Sequence, residues 1–506
     1  MIFKNKIASI IVLSTIIRCF VALTIGLGND EVYYVEYAQH LQWNYFDHPP
    51  LVALLIRLST FNLYFLQDFF IRLGPILLAA ANTYLIYKIA KKIKGENAGI
   101  FAALLFTASI YSSIISGVFI LPDSSQLFFW ICSVYCLINL LFDTKSVNRN
   151  LLLFGFFTGL CIMSKVHGVF LWFGFGLFIL IYQRQLLKNP FLYLSVLISL
   201  VIISPILFWN IDNDFITYKF HSERVTINGG INIDSFIREF FGGFFYNNPI
   251  NYVLLIISFF MLKRSSLHIN YKRILILLSV PLIIILLFTS LFRDTLPHWS
   301  GPGYTTLIIL TACCCSEYYF KYKKWVHAAV YFTLFISVVG VGVINYFPGT
   351  LGQKQQHELG RGDATLDMYQ WDFFKLEFEK FHKSKNKTDD SEFIISNKWF
   401  PASHIDKYIA QPLHLNFVAI GKLEDIHTFY WLNKERKPIL KGDNAYFFTF
   451  SNDFNNPNSF YEKSFEKIIF QKTIIQYRSG KPVRKMYIYL LKNYKDGNEF
   501  SITKSN

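Results

Sequence analysis

The segment between the first two long apolar runs carries more ionisable side chains than a membrane connector needs. In NDEVYYVEYAQHLQWNYFDHPPLVALLIR, residues 29–57, four acids, two histidines and a Pro-Pro pair lie close together. Asp30, Tyr33, Tyr34 and Tyr37 follow helical spacing, which predicts one side of an interfacial helix. A partly desolvated carboxylate there would bind a proton more readily, as a general base must. The alternative is that Asp30 caps the helix and the tyrosines form an aromatic belt.

The second half of this segment adds a further acid and an imidazole. FDHPPL, residues 46–51, places Asp47 and His48 before a rigid Pro-Pro turn. The pair could hold a divalent cation that bridges a phosphate, so such a cation stays open as a cofactor. No spacing in the chain resembles a dedicated metal cage, and no metal site is predicted. The seven cysteines lie within or at the ends of apolar runs, which predicts packing roles rather than disulfides or zinc binding.

The composition identifies the elements that must position these residues. The 506 residues are 53% hydrophobic and 16% charged, and the mean hydropathy is +0.33. One soluble core could not hide so much apolar surface, so the bilayer is expected to be the main solvent. The net charge of +15 falls in short clusters between apolar runs, where membrane topology explains it better than nucleic-acid binding.

The apolar runs predict a polytopic α-helical membrane protein. About eleven runs approach the roughly 20 residues that cross a hydrocarbon core. They lie at about 7–28, 69–90, 98–119, 124–142, 150–164, 168–183, 190–210, 250–262, 273–292, 301–319 and 326–347. Every second connector is rich in Lys and Arg, which predicts a cytoplasmic N-terminus in the inner (plasma) membrane.

Two domains are predicted from this pattern. Residues 1–347 form a transmembrane domain with interfacial helices in 29–68, and residues 348–506 form a small extracytoplasmic α/β domain. The alternation in AYFFTFS (445–451) and KMYIYLLKN (485–493) predicts strands. The mixed pattern of WDFFKLEFEKFHK (371–383) predicts a helix.

Five further stretches, together with the first loop, carry a family resemblance. They are LPDSSQLFFW (121–130), MSKVHGVFLW (163–172), SPILFWNIDNDFITYKFHSER (204–224), FFGGFF (240–245) and PHWSGPGYTTL (297–307). In this order they resemble the GT-C glycosyltransferases of the dolichyl-phosphate-mannose protein mannosyltransferase and aminoarabinose transferase type. The resemblance spans roughly residues 1–350 and implies a GT-C-like fold. The tail beyond 350 says little about the substrate.

The resemblance implies an inverting transfer of one sugar from a polyprenyl-phosphate carrier to a glycolipid or protein acceptor outside the cytoplasm. The developing charges call for a base at the acceptor and cations at the departing phosphate. The family places the acid of the first loop near the acceptor, which maps to Asp30, with Glu31 beside it. Lys165, Arg224 and His221 are the candidates to hold the lipid phosphate. The remaining candidates are Asp123 for catalysis and Tyr34, Asp47, His48, His298 and Trp299 for substrate binding.

Each of these candidates also has a purely structural interpretation. Asp123 could cap a helix, Lys165 could snorkel from a helix end, and His298 with Trp299 could form an interfacial anchor. The family usually has an aromatic residue directly after the lysine, whereas Val166 and then His167 follow it here. This departure puts any hydrogen bond from that position in doubt.

Three rival functions stay open at this stage. A lipid transporter or flippase would use intramembrane polar groups, a polysaccharide polymerase or ligase would use the same lipid-phosphate chemistry, and a scaffold would use none of it. Charged residues near the bilayer midplane and repeat symmetry would favour transport, and neither is evident. ATP-driven transport is unsupported, because no Gly-rich phosphate loop followed by Lys-Ser/Thr occurs.

Overall fold

The chain forms two compact units. A computed structural model describes residues 5–225, 230–385 and 391–495, apart from the side chains of residues 144 and 223–225. Unit 1 comprises Met1–Ala22 and Leu41–Ser337, and unit 2 comprises Leu23–His40 and Val338–Asn506. The helix that begins near residue 30 therefore groups with the C-terminal part of the chain, whereas the predicted domains place it with the membrane helices.

Helices dominate the described part of the chain. In chain order they are α1 (Lys6–Thr24), α2 (Asn29–Gln39), α3 (Leu51–Ser59), α4 (Asp68–Lys94), α5 (Glu96–Ala108), α6 (Pro122–Phe142), α7 (Val147–Ser164), α8 (Val169–Tyr182), α9 (Pro190–Asp212), α10 (Ile216–Val225), α11 (Ile233–Tyr246), α12 (Pro249–Met261), α13 (Ile269–Thr289), α14 (Gly301–Ser316), α15 (Tyr319–Tyr346), α16 (Trp371–Lys383), α17 (Trp399–Ile405), α18 (Leu423–Ile426), α19 (Phe429–Leu432) and α20 (Pro457–Tyr461).

Seven of the described helices are long and apolar enough to cross a bilayer: α1, α4, α6, α7, α9, α13 and α15. A helix satisfies its backbone hydrogen bonds internally, which is what a hydrocarbon solvent requires. On α9, Leu197, Leu200 and Val201 are exposed, as expected for side chains that face lipid. The predicted polytopic α-helical membrane protein is confirmed in this respect.

The predicted count of eleven spans is not confirmed. The described residues contain seven spans, or up to eight if α11 and α12, which meet at 94°, form one broken span. The run 98–119 ends as helix α5 at Ala108, and a short π-helical turn, Tyr111–Ile115, follows. The run 301–319 yields α14, in which residues 301–315 are all buried. Its side chains are apolar because other parts of unit 1 surround them, so hydropathy alone could not separate it from a lipid-facing span.

Close packing against α9 positions α7, the helix that the candidate site residue Lys165 follows. A Cβ atom at Gly155 would lie 2.2 Å from the backbone oxygen of Ser195, so α7 and α9 approach closely because position 155 has no side chain. The Ser199 hydroxyl donates to the Gly155 carbonyl at 2.5 Å. On the neighbouring helix α6, Trp130 donates to the Thr306 hydroxyl of α14 at 2.8 Å.

Unit 2 contains a five-stranded sheet. The strands are β1 (Phe393–Ser396), β2 (Asn416–Ala419), β3 (Ala445–Phe450), β4 (Phe465–Arg478) and β5 (Lys481–Tyr494), in the order β2-β1-β3-β5-β4. Strand β1 pairs in parallel with β2 and β3, whereas β5 pairs antiparallel with β3 and β4. The two predicted strands match β3 and β5, and the predicted helix matches α16. The small C-terminal α/β region is therefore confirmed.

Candidate active site

An ion pair between Asp123 and Lys165 lies at the centre of the candidate site in unit 1. Lys165 Nζ donates to Asp123 Oδ2 at 2.7 Å, and the two side chains are 4% and 2% exposed. Lys165 follows the end of α7 and is buried, so it does not extend toward solvent as a snorkelling residue would. Removing both charges from water is costly, so a buried pair of this kind is a candidate for function.

The start of α6 explains the direction of the Asp123 carboxylate. Leu121 is the extended residue before the helix and Pro122 is its first residue, so Asp123 lies in the first turn and does not cap the helix. Its second oxygen, Oδ1, accepts from the Tyr111 hydroxyl at 3.3 Å. The aspartate therefore contacts a lysine and a tyrosine, which together hold it in one orientation.

Imidazoles surround this pair. His298 Nε2 lies 3.9 Å from Asp123 Oδ2, and the charges of Asp123 and Lys165 also reach His48. Burial lowers the pKa of His298 to about 4 and the pKa of His48 to about 4. Both rings are therefore neutral at pH 7 and can donate or accept hydrogen bonds without adding charge.

Aromatic rings form another part of the surroundings. The Trp299 ring centre lies 5.9 Å from Lys165 Nζ and 5.5 Å from the His167 ring centre. His167 Nδ1 is buried and has no hydrogen-bond partner in the described part of the chain. An indole face beside a lysine is suited to contacts with a sugar or a prenyl carbon.

The loop that carries His298 and Trp299 is held at both ends by one carboxylate. Glu239 Oε2 accepts from the Thr295 hydroxyl at 2.8 Å, and Glu239 Oε1 accepts from the Ser300 hydroxyl at 3.4 Å. Sequence analysis overlooked Glu239, although an acid directly before the apolar FFGGFF segment was a usable signal. It also overlooked Tyr111, which lies in an apolar run and gave no signal of its contact with Asp123.

The predicted site residues divide between the two units. Unit 1 brings together Asp123, Lys165, His298, Trp299 and His48. Asp47 and His221 join them, because His221 Nε2 lies 2.9 Å from the Asp47 carbonyl oxygen and the His48 and His221 ring centres are 6.4 Å apart. The side chain of Arg224 lies outside the described residues. Asp30, Glu31 and Tyr34 belong to unit 2.

The structure corrects the predicted environment of Asp30. Asp30 is exposed and lies in the first turn of α2, and it does not cap the helix, because Gly28 is the residue before the helix. The Glu31 carboxylate accepts from the Gly28 backbone N–H at 2.8 Å and thereby satisfies the helix start. Tyr34 is 4% exposed.

Helix α2 is also not an interfacial helix with one exposed side. All residues from Glu31 to Ala38 are buried, and the Tyr33 ring packs 5.0 Å from the ring of Trp399 in α17. The tyrosines therefore form part of the core of unit 2 rather than an aromatic belt.

Metal-ligand geometry is absent from the described residues. Within ranges 5–225, 230–385 and 391–495, no group of three or more His, Cys, Asp or Glu side chains is placed to hold a metal ion. Cys313, Cys314 and Cys315 are buried in α14, which agrees with packing roles.

Comparisons with known proteins support the resemblance seen in the sequence. Residues 47–209 match the family model of dolichyl-phosphate-mannose-protein mannosyltransferases. The lipid A galacturonosyltransferase RgtD of Rhizobium johnstonii is 24% identical over 344 residues, covering 67% of this chain and 69% of that protein.

Solved structures share the fold. ArnT from Cupriavidus metallidurans bound to undecaprenyl phosphate matches with a TM-score of 0.61 and 12% identity, over 95% of this chain and 97% of that chain. The apo state of ArnT matches with a TM-score of 0.60 and 11% identity over the same shares. The family-matched segment contains both Asp123 and Lys165. The sequence resemblance to GT-C glycosyltransferases of the protein mannosyltransferase and aminoarabinose transferase type is thus confirmed, and the chain is a glycosyltransferase.

Proposed function

We propose that the protein transfers one sugar from a polyprenyl-phosphate carrier to an acceptor on the outer side of the inner (plasma) membrane. The observation that carries the proposal is the buried Asp123–Lys165 pair beside neutral histidines, inside the family-matched segment. ArnT, which shares the fold, binds undecaprenyl phosphate, and this supports a polyprenyl-phosphate donor. A transporter or flippase is not favoured, because the matched relative RgtD is a glycosyltransferase.

Lys165 is proposed to stabilise the departing phosphate. When the bond between the anomeric carbon and the phosphate oxygen breaks, the polyprenyl phosphate takes the electron pair and gains one negative charge. A lysine held by Asp123 in a buried site acts strongly on that charge, because little water screens it. Neutral His298 and His48 can add N–H donors. Arg224 and His221 complete the proposed set of phosphate contacts on the strength of the family resemblance.

Asp30 is proposed as the base that activates the acceptor. The acceptor oxygen forms the new bond to the anomeric carbon from the face opposite the phosphate, which inverts the configuration, and its proton passes to Asp30. The exposure of Asp30 supports access by an acceptor. Glu31 is less suited to this role, because its carboxylate is buried and engaged at the start of α2.

A lipid A-type glycolipid is the proposed acceptor class. The activity named for RgtD supports this choice. We further propose the predicted topology, with a cytoplasmic N-terminus and an extracytoplasmic C-terminal region. Mass spectrometry of lipid A from a deletion strain tests the acceptor: the expected result is the loss of one sugar, and an unchanged lipid A would contradict it.

The proposed chemistry is tested with purified full-length variants and a defined polyprenyl-phosphate sugar. Lys165→Ala and Asp30→Asn are each expected to abolish most sugar release. Glu31→Gln is the matched control for Asp30→Asn, because it neutralises the adjacent carboxylate that serves the helix start. Glu31→Gln should lower the free energy of unfolding by about 1 kcal/mol and leave turnover per folded molecule unchanged. Normal turnover in both Lys165→Ala and Asp30→Asn would refute the assigned roles.

A further inference from the structure

A cavity in unit 1 is lined mainly by lysines and tyrosines. It has a volume of about 540 Å³. Its wall includes Tyr84, Tyr87, Lys88, Lys91 and Lys92 of α4 and Tyr135 of α6, with the start of α1 closing one side. We refer to it as the Lys88 cavity.

Sequence spacing explains why so many of these side chains line one wall. Position 84 and the adjacent pairs 87/88 and 91/92 recur every three or four residues, so they share one broad face of α4. The positive-inside rule accounts for lysines at this helix end. It does not account for a cavity or for tyrosines between the lysines.

The three lysines of the cavity differ in whether a carboxylate neutralises their charge. Lys91 Nζ lies 2.7 Å from Glu96 Oε2. Lys92 instead donates to the Asn139 amide oxygen at 2.5 Å. Lys88 Nζ lies 5.6 Å from the Tyr84 ring centre and 5.4 Å from the Tyr135 ring centre. In the described part of the chain neither Lys88 nor Lys92 contacts a carboxylate.

Lys94, near the same end of α4, forms an ion pair with a carboxylate. Lys94 Nζ lies 3.0 Å from Glu317 Oε1, and Lys94 does not line the cavity. Of the three lysines that line the cavity, only Lys91 pairs with a carboxylate among the described residues. This arrangement leaves two positive charges for an anion from outside the chain.

The cavity lies far from the candidate active site. Asp123 is at the start of α6, whereas Tyr135 and Asn139 are near its end. A rise of about 1.5 Å per residue puts Asn139 roughly 24 Å along α6 from Asp123. A ligand in the Lys88 cavity therefore cannot be the sugar donor bound at Lys165.

An exposed apolar strip continues from the cavity along α4. Leu77 and Tyr84 are 57% and 46% exposed, and their spacing of seven residues puts them on the same face as Lys88 and Lys91. Lysine ammonium groups bind phosphate as point charges. A basic pocket that adjoins apolar helix surface has the chemistry to hold a phosphate headgroup with its acyl chains.

We propose that the Lys88 cavity binds the phosphate headgroup of an anionic phospholipid, at the end of α6 opposite the Asp123–Lys165 pair. Lys88 and Lys92 contact the phosphate, and the acyl chains lie against the α4 strip that includes Leu77. This site is independent of the proposed transfer reaction.

The test measures lipid binding to the full-length protein in detergent through the rise in Tm on adding phosphatidylglycerol. A ligand that binds the folded state raises Tm by an amount that grows with the logarithm of its concentration relative to Kd, so a titration gives the apparent affinity. Each lysine near a phosphate surface contributes about 1 kcal/mol. Lys88→Gln/Lys92→Gln is therefore expected to weaken the apparent affinity about 30-fold, and each single variant about fivefold.

Matched controls separate this site from general charge effects. Lys321→Gln removes one charge from an exposed lysine of α15 that does not line the cavity, and it should retain the wild-type affinity. Lys88→Arg/Lys92→Arg should also retain binding, because it keeps both charges. If the double Gln variant does not fold, the two single variants give the same comparison.

Three outcomes would overturn the proposal. Phosphatidylcholine carries no net charge, so an equal rise in Tm with it would show that the site does not require an anionic lipid. An equal rise with inorganic phosphate at the same concentration would show a free-phosphate site instead of a lipid site. An equal loss of affinity in Lys321→Gln and the Lys88→Gln/Lys92→Gln variant would show that net charge, and not the cavity, attracts the lipid.

Discussion

Each unit of the protein buries a charge cluster, and the two clusters differ in the ratio of cations to acids. In unit 1, Lys165 faces one carboxylate, Asp123, at 2.7 Å. In unit 2, Arg436 faces two carboxylates, with Glu36 Oε2 at 2.8 Å and Asp406 Oδ2 at 2.7 Å. We refer to these as the Lys165 centre and the Arg436 centre.

The difference indicates which cluster is suited to bind a ligand. Among the described residues Lys165 donates one hydrogen bond, to Asp123, although an ammonium group has three N–H donors. Its remaining donors suit a phosphate. Arg436 already has more carboxylates than its one charge can balance, and its guanidinium also lies 5.8 Å and 5.6 Å from the ring centres of Phe417 and Phe429. The Arg436 centre is therefore suited to hold unit 2 together, not to bind an anion.

The proposed difference between the two centres would be refuted most clearly if Lys165, like Arg436, contributed only to stability. Lys165→Met is expected to lower kcat on the order of 100- to 1000-fold, as loss of one preorganised transition-state donor does. Arg436→Met is expected to lower stability by about 3–5 kcal/mol, because it leaves buried carboxylates without their cation. Turnover per folded molecule should stay near the wild-type value. Sugar transfer and chemical denaturation, measured on the same preparations, check both expectations.

A double variant separates the two roles of Lys165. Lys165→Met alone leaves Asp123 as a buried charge without its ion partner, so part of its effect is destabilisation. Asp123→Asn/Lys165→Met removes both charges and should recover most of that stability. Its kcat should stay low. Recovery of wild-type turnover in this variant would show that the pair is structural.

Much of the fold and of the Lys165 centre was predictable from the sequence. Long apolar helices such as α9 and α13 follow from length and composition, because a bilayer selects for both. The strands β3 and β5 follow from their β-branched and aromatic residues and their turn signals. Asp123 and Lys165 lie 42 residues apart in sequence, and the order of the family motifs, not local spacing, suggested that they meet.

The remaining features depend on tertiary contacts that the sequence does not reveal. Helix α14 is apolar because protein surrounds it, and its sequence resembles that of a helix surrounded by lipid. Helix α2 packs against residues near 399–436, so its burial could not be inferred from the residues around position 30. The exposure of Asp30 and the use of Glu31 at the helix start follow from the same fold of unit 2. Glu239 supports the site through hydroxyl contacts that have no sequence motif.

A change in the loop before α14 tests whether the Lys165 centre needs His298 and Trp299 in a fixed orientation. Glu239→Gln keeps one oxygen acceptor and replaces the other with an amide donor, so the hydroxyls of Thr295 and Ser300 can no longer both donate to this side chain. We expect kcat to fall about tenfold, since displaced catalytic groups lose orientation. Ser300→Ala is the milder control, because it removes only the longer contact of 3.4 Å. Equal turnover in Glu239→Gln and wild type would remove Glu239 as a positioning residue.

A pH dependence of stability is expected at the Arg436 centre. Burial, and next the charge of Asp406, raise the pKa of Glu36 well above its ordinary value. A raised pKa means that the folded state holds a proton which the unfolded state has already lost above about pH 4.5. The stabilisation from Glu36 is therefore complete below that pH and is lost as the pH rises toward the folded-state value, by about 1.4 kcal/mol per pH unit.

Glu36→Gln should remove this dependence, because an amide keeps the shape and cannot ionise. Its stability should exceed that of the wild type at the upper end of the pH range and change less between pH 5 and pH 8. Denaturation curves across this range measure the difference, while sugar transfer should stay unaffected. The opposite slope in the wild type, with stability rising as pH rises, would mean that Glu36 is ionised beside Arg436. Arg436 would then face two ionised carboxylates, and a proton on Glu36 would not be what balances the charge of the Arg436 centre.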